Sequence, residues 1–351
     1  MFEYSNEIKN ISLFKEKVYS SLGSTWLYDG FYLYIMFPWT SINIILNLIA
    51  YFVLDKIELK QNTKKLYTYL KIYVMCCAIM SFGGTTIFIS FSPRYVSFGL
   101  GFFARLLRCQ INSIILMLLH FYANILDIWI IFERLSQFSW YSSSSFIKRN
   151  SPYKIAILSF LFCTLVNMPS MFWHSIKTDD EFIRDAIENP ETFSYCSQTK
   201  FASSPLGAIL SLIMLLIKDI LTLILEIILN IILIVYYVKF LRNKSRVQLN
   251  GYIIIQRGKN RNRLLRFPSS DINLFLLTIL FSMISFLSHF FSAFSTFLFI
   301  SYKLDPFNAN LIIIITSIIS CLKYFSNFWI LFIFNINFRN IFLDMVRLRL
   351  N

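Results

Sequence analysis

Seven stretches of this chain are long and apolar enough to cross a lipid bilayer, and no other feature of the sequence restricts the fold so tightly. They lie at about residues 31–54, 68–91, 106–135, 153–174, 205–239, 271–298 and 309–334. A helix needs ~20 apolar residues to span the hydrocarbon core. Lipid offers no hydrogen-bond partner to the backbone, so only helices and closed β-barrels can cross it. None of the seven stretches shows the apolar–polar alternation of barrel strands, and each therefore reads as a helix. The expected fold is an all-α membrane protein, a seven-transmembrane helix bundle. Composition agrees: 56% of the residues are apolar and only 15% are charged, where a soluble domain carries roughly a quarter.

The connections are short, the longest at 175–204 and 240–270, and none is large enough for a second folded domain. Residues 1–30 read as an extracellular N-terminal segment, 31–335 as the seven-helix domain and 336–351 as a cytoplasmic helix and tail. In this last piece Phe338, Ile341, Phe342 and Met345 recur at i, i+3, i+4 and i+7, while Arg339, Asn340, Asp344 and Arg347 fill the other face. That pattern predicts a short amphipathic helix lying in the membrane interface. Met1 to Asp29 shows no removable signal peptide, which leaves the first membrane helix to direct insertion.

Sidedness follows from Lys and Arg. The first connection carries Lys56, Lys60, Lys64, Lys65 and Lys71, the third Lys148, Arg149 and Lys154, and the fifth nine basic residues from Lys239 to Arg266 with no acid. The 175–204 connection instead carries Asp179, Asp180, Glu181, Asp185, Glu188 and Glu191 against Lys177, Arg184 and Lys200. The basic side faces the cytoplasm, so the N-terminus and the acidic loop face out. The Asn10-Ile11-Ser12 glycosylation sequon is compatible with that placement. The same distribution explains the net charge of +14 better than nucleic-acid binding does, because the basic residues form neither an arm nor a patterned surface helix.

Six cysteines suit at most one bridge in a chain of this length. Cys109, at the outer start of the third helix, and Cys196, in the acidic loop, both lie on the oxidising side; a bridge between them would tie the loop to the mouth of the bundle. Cys76, Cys77, Cys163 and Cys321 fall inside apolar stretches and read as reduced packing residues. His120, His174 and His289 show no paired acid or second histidine at ligand spacing, and no Gly-rich phosphate loop is present, so metal catalysis and enzymatic activity find no support.

Twenty-five residues past Cys109, Glu133-Arg134-Leu135 closes the same helix at the cytoplasmic face. This arrangement resembles the rhodopsin-like G-protein-coupled receptors, in which a cysteine opens helix three and an acid-arginine-tyrosine triplet closes it at that spacing. Asn327-Phe328-Trp329-Ile330-Leu331, followed by Phe338, resembles the family's Asn-Pro-x-x-Tyr motif and the Phe of its interfacial helix; Phe328 replaces the proline and Leu331 the tyrosine. Asn47 stands where the family places its helix-one asparagine, with Asn43 a competitor. Helix two lacks the family's aspartate and helix six its Trp-x-Pro, which marks a divergent member. The nematode-type serpentine chemoreceptors are a related resemblance.

The resemblance implies a plasma-membrane receptor that binds an extracellular ligand and activates a heterotrimeric G protein. Arg134 and Glu133, with Lys148 and Arg149, would face the G protein, and Asn327, Leu331 and Phe338 would form the activation switch. The acidic loop favours a basic peptide as ligand; a small chemosensory molecule is the alternative, and a transporter is a rival of another class. No cofactor is expected: the retinal-binding lysine of opsins precedes the motif asparagine by six residues, whereas Lys323 precedes Asn327 by four. Ser142 to Ser145 are the candidates for regulatory phosphorylation.

Charges inside a membrane are costly and face the bundle interior. Asp127 on helix three and Lys323 on helix seven are expected to form a buried ion pair. Asp219, Glu226 and Asn230 occupy one face of helix five at i, i+7 and i+11, and are expected to pair with Lys218 or with polar groups on helices three or six.

Overall fold

A computed structural model of the chain describes residues 32–57, 61–91, 106–138, 150–178, 181, 196–257, 269–301 and 306–347. Among them are seven helices long and apolar enough to cross a membrane. Helix α1 is Phe37–Lys56, led in by a wide π-helical turn at Tyr32–Met36. Helix α2 is Gln61–Phe91, and α3 is a π-helical stretch, Leu107–Leu116, continued as Met117–Phe138. Helix α4 is Pro152–Asn167, closing in a 3-10 turn at Met168–Phe172. Helix α5 comprises Pro205–Leu215, a π-helical stretch at Leu216–Leu221 and Thr222–Arg257. Helices α6 and α7 are Ser269–Ser301 and Pro306–Phe334, and α8 is Ile336–Arg347.

Proline sets several of these boundaries. Pro152 and Pro205 sit in the first turns of α4 and α5, where a helix has no use for the missing N–H and the fixed φ suits it. Pro169 does the opposite at the far end of α4, where the α-helix gives way to the 3-10 turn.

One expectation about the connections needs correcting. The segment 240–270 is not a loop over its first part: α5 continues as helix to Arg257. Residues 240–257 contain no proline and are rich in Leu, Lys, Arg and Gln, which favour helix once a nucleus exists. The acidic loop contains a small antiparallel ladder, β1 (His174–Ile176) with β2 (Cys196–Gln198), in which Ile176 stands opposite Cys196. Strands of three residues carry no readable periodicity.

Helix α3 is the axis of the bundle, in contact with α2, α4, α5 and α6; α1 packs on α2 and α7, and α6 pairs with α7. Helix α8 folds back beneath α1 and α7. The largest interior cluster joins Tyr69, Leu70 and Tyr73 of α2 to Phe121 and Leu126 of α3, Leu331 of α7 and Phe338 of α8. Large apolar side chains such as Leu212, Ile220, Ile227 and Ile231 of α5 point outward, as a helix facing lipid requires.

Candidate functional site

Polar and charged side chains are grouped at successive depths along α3. Near its N-terminal end Cys109 is bonded to Cys196, with the two Cα atoms 5.6 Å apart across 87 residues of sequence. The bridge fixes β2, and through it β1, against the mouth of the bundle. The loop then runs directly into α5, where the Ser204 hydroxyl accepts from the Gly207 amide at 3.0 Å and caps the helix. A Cβ at Gly207 would come within 2.1 Å of the Phe201 carbonyl oxygen, so only glycine allows this close approach.

Deeper, Lys323 Nζ on α7 lies 3.5 Å from Asp127 Oδ2 on α3 and donates to Asn124 Oδ1 at 3.1 Å. Ser285 Oγ of α6 donates to the same Asp127 oxygen. Lys323 and Asp127 are 1% and 3% exposed, so both charges lie in the bundle interior. The Tyr73 ring, 5.7 Å from Nζ at its centroid, adds a further electrostatic contact from α2. Four helices thus meet at one buried charge pair.

A second cluster joins α5 to α6. Asp219 and Glu226, both buried, face His289, whose Nδ1 lies 3.4 Å from Glu226 Oε2 and whose Nε2 lies 3.9 Å from Asp219 Oδ1. Thr222 Oγ1 is 3.4 Å from that Nε2, and the His120 ring of α3 meets His289 edge-on with centroids 6.4 Å apart. The acids that face His289 come from another helix, where linear spacing cannot show them. Asn230 lies on the same face of α5 but donates to the Glu226 carbonyl of its own helix. The described residues contain no group of three His, Cys, Asp or Glu side chains arranged to hold a metal ion.

Toward the C-terminal end of α3, Glu133 and Arg134 are 6% and 3% exposed, and Arg134 Nε donates to Thr278 Oγ1 of α6 at 3.0 Å. Thr278, Ser285 and His289 are spaced i, i+7 and i+11, which places them on one face of α6. That single face meets Arg134, Asp127 and the α5 acids in turn.

Helix α7 is tied to α1 by amides. Asn327 Nδ2 donates to Asn47 Oδ1 at 3.3 Å, Asn47 Nδ2 to the Asn43 and Tyr324 carbonyls, and Asn43 Nδ2 to the Cys321 carbonyl. Both asparagines of α1 take part, so the choice between them dissolves. Without the motif proline α7 runs unbroken to Phe334, and Phe328 packs against Phe338 and Phe342 with centroids 5.7 and 5.4 Å away. Leu331 and Phe338 are fully buried. Asn335, which sequence reasoning passed over, accepts from the Phe338 amide at 3.1 Å and donates to the Tyr67 hydroxyl at 2.7 Å. It caps α8 and pins it to α2; an Asn between two apolar periodic segments was the available signal. Lys148, Arg149, Ser142 to Ser145 and Asn10 lie outside the described residues.

Neither a protein-family model nor a curated protein matches the sequence. Among solved structures the chain is similar to squid rhodopsin, with a TM-score of 0.61 at 14% identity over 92% of this chain and 87% of that one. At that identity the likeness concerns the fold, a multi-pass bundle of seven membrane helices.

Proposed function

We propose that this seven-helix membrane protein is a rhodopsin-like G-protein-coupled receptor of the plasma membrane, with its N-terminus outside and its C-terminus in the cytoplasm. The observation that carries the reading is the placement of Arg134. It closes α3 at the end opposite the Cys109–Cys196 bridge and is held against α6 by Thr278. Twenty-five residues of helix separate bridge and arginine, a rise of about 37 Å, enough to join the two faces of a bilayer.

The mechanism is a shift between two packings of the bundle. With Arg134 bonded to Thr278 the cytoplasmic ends of α3 and α6 are together. An agonist that binds better to the separated packing exposes Arg134 and Glu133 to a heterotrimeric G protein. Helix α6 is the element suited to respond, since one face engages Arg134, Asp127 and Glu226 at three depths. Asn327, Leu331 and Phe338 would transmit the shift along α7 into α8, and Asn47, Asp127, Asp219, Glu226 and Lys323 would hold the resting packing. Lys148, Arg149 and the basic residues beyond Lys239 would meet the G protein and the anionic inner leaflet. The acidic outer loop favours a basic peptide as ligand. The activity is signalling rather than catalysis.

The test is guanine-nucleotide exchange on a panel of purified G proteins, comparing wild type with Arg134→Ala in the same membranes. Exchange that depends on Arg134 is expected; equal exchange, or none with any G protein for either, would count against the reading.

A further inference from the structure

We propose that the cleft between the cytoplasmic end of α1 and the first turns of α8 binds the phosphate headgroup of an anionic lipid of the inner leaflet. The cleft has a volume of about 400 Å³ and is lined by Lys56, Ile57, Asn337, Asn340 and Ile341. The proposal rests on the sidedness proposed above, which makes the adjoining leaflet the inner one, and not on G-protein coupling.

The lining divides into a polar rim and an apolar floor. Lys56 is the last residue of α1, and the acid beside it, Asp55, is taken up by Lys71. Lys56 itself enters no ion pair among the described residues. Asn337 and Asn340, both exposed, are three apart and so share a face of α8, where their carboxamides offer further N–H donors. Both lie in the first turns of that helix, toward the positive end of its dipole. One ammonium and two carboxamides suit a phosphate with three or four acceptor oxygens better than a carboxylate with two. Ile57 is buried and Ile341 half-buried, which leaves an apolar bed for the glycerol and upper acyl chain. Asp344, one turn beyond Asn340, is not part of the lining.

Depth argues for a lipid as the source of that phosphate. Helix α8 inserts Phe338 and Phe342 against Phe328 of α7, so it lies along the interface with its polar face at headgroup level. A cleft of this size admits a headgroup but not a folded protein partner.

The full chain in phosphatidylcholine nanodiscs, titrated with fluorescent short-chain phosphatidylinositol bisphosphate and read by anisotropy, tests the proposal. Lys56→Gln alone should weaken binding ~fivefold, the loss expected for one lysine near a charged headgroup. Adding Asn337→Ala and Asn340→Ala should weaken it further, while Lys154→Gln, exposed in the first turn of α4 and away from the cleft, should stay within ~twofold of wild type. Displacement by soluble inositol trisphosphate would show that the phosphates suffice; resistance to displacement together with loss in the triple variant would show that the intact lipid is required. The proposal is overturned if wild type binds the probe no better than a phosphatidylcholine probe, if the triple variant binds like wild type, or if Lys154→Gln loses as much as Lys56→Gln. Should the triple variant fold poorly, Lys56→Gln, at an exposed position, decides alone.

Discussion

Replacing Thr278 with Val should unlock the end of the bundle proposed to face the cytoplasm. The Thr278 hydroxyl accepts a 3.0 Å hydrogen bond from Arg134 Nε, and the two residues are 0% and 3% exposed. A hydrogen bond to a charged group contributes about 1.5–3 kcal/mol. Valine keeps the shape of threonine but removes the acceptor, and the bond exists only while α3 and α6 are together at this level. Its loss therefore destabilises the resting packing and leaves the separated one untouched. Arg134 has further interactions, which favours the lower end of the range. A loss of ~1.5 kcal/mol multiplies the open-to-closed ratio roughly tenfold, lifting a resting open population of ~1% to ~10%. Basal guanine-nucleotide exchange at matched receptor density should rise accordingly, and Thr278→Ser, which keeps the hydroxyl, should stay near wild type. A well-folded Thr278→Val with wild-type basal exchange would refute the reasoning.

The remaining predictions concern what holds the bundle together. Asp127→Asn or Lys323→Gln should each lower stability by ~3–5 kcal/mol, because the partner charge stays buried; the double variant should recover most of the loss in thermal melts, and no recovery would mean the two charges are not energetically coupled. Asn335→Ala removes the cap of α8 and its tie to Tyr67, at a cost of ~1 kcal/mol or more. Hydrogen exchange in α8 should speed up while that of α3 is unchanged; equal protection of α8 in both proteins would contradict the capping role. Cys109→Ser, Cys196→Ser and the double variant should be equally impaired in surface expression, since each removes the same bond; additive losses would show that the two thiols act separately.

The membrane spans and the amphipathic pattern of α8 were legible because each depends on residues close in sequence. The pairing of Cys109 with Cys196 was legible for another reason: sidedness left only two thiols where a disulfide persists. The partners of His289 were not legible because they come from α5, 63 and 70 residues away. Linear spacing cannot report such contacts between helices. Thr278 and Ser285 were overlooked in an apolar helix, where a hydroxyl usually bonds its own backbone; only the packing of α6 against α3 reveals that they serve Arg134 and Asp127. The helical continuation of α5 to Arg257 was masked by its charge, which reads as a loop when hydropathy alone is weighed.

The movement of α6 itself provides the most direct test. Spin labels at Lys64→Cys on α2 and Leu276→Cys on α6, both exposed at the Arg134 end of the bundle, report the width of that end by pulsed dipolar spectroscopy. The account predicts a narrow distance distribution for the protein alone and a longer distance once a nucleotide-free G protein is added, with the longer component already visible in Thr278→Val. A distribution unchanged by the G protein and by the substitution would contradict it.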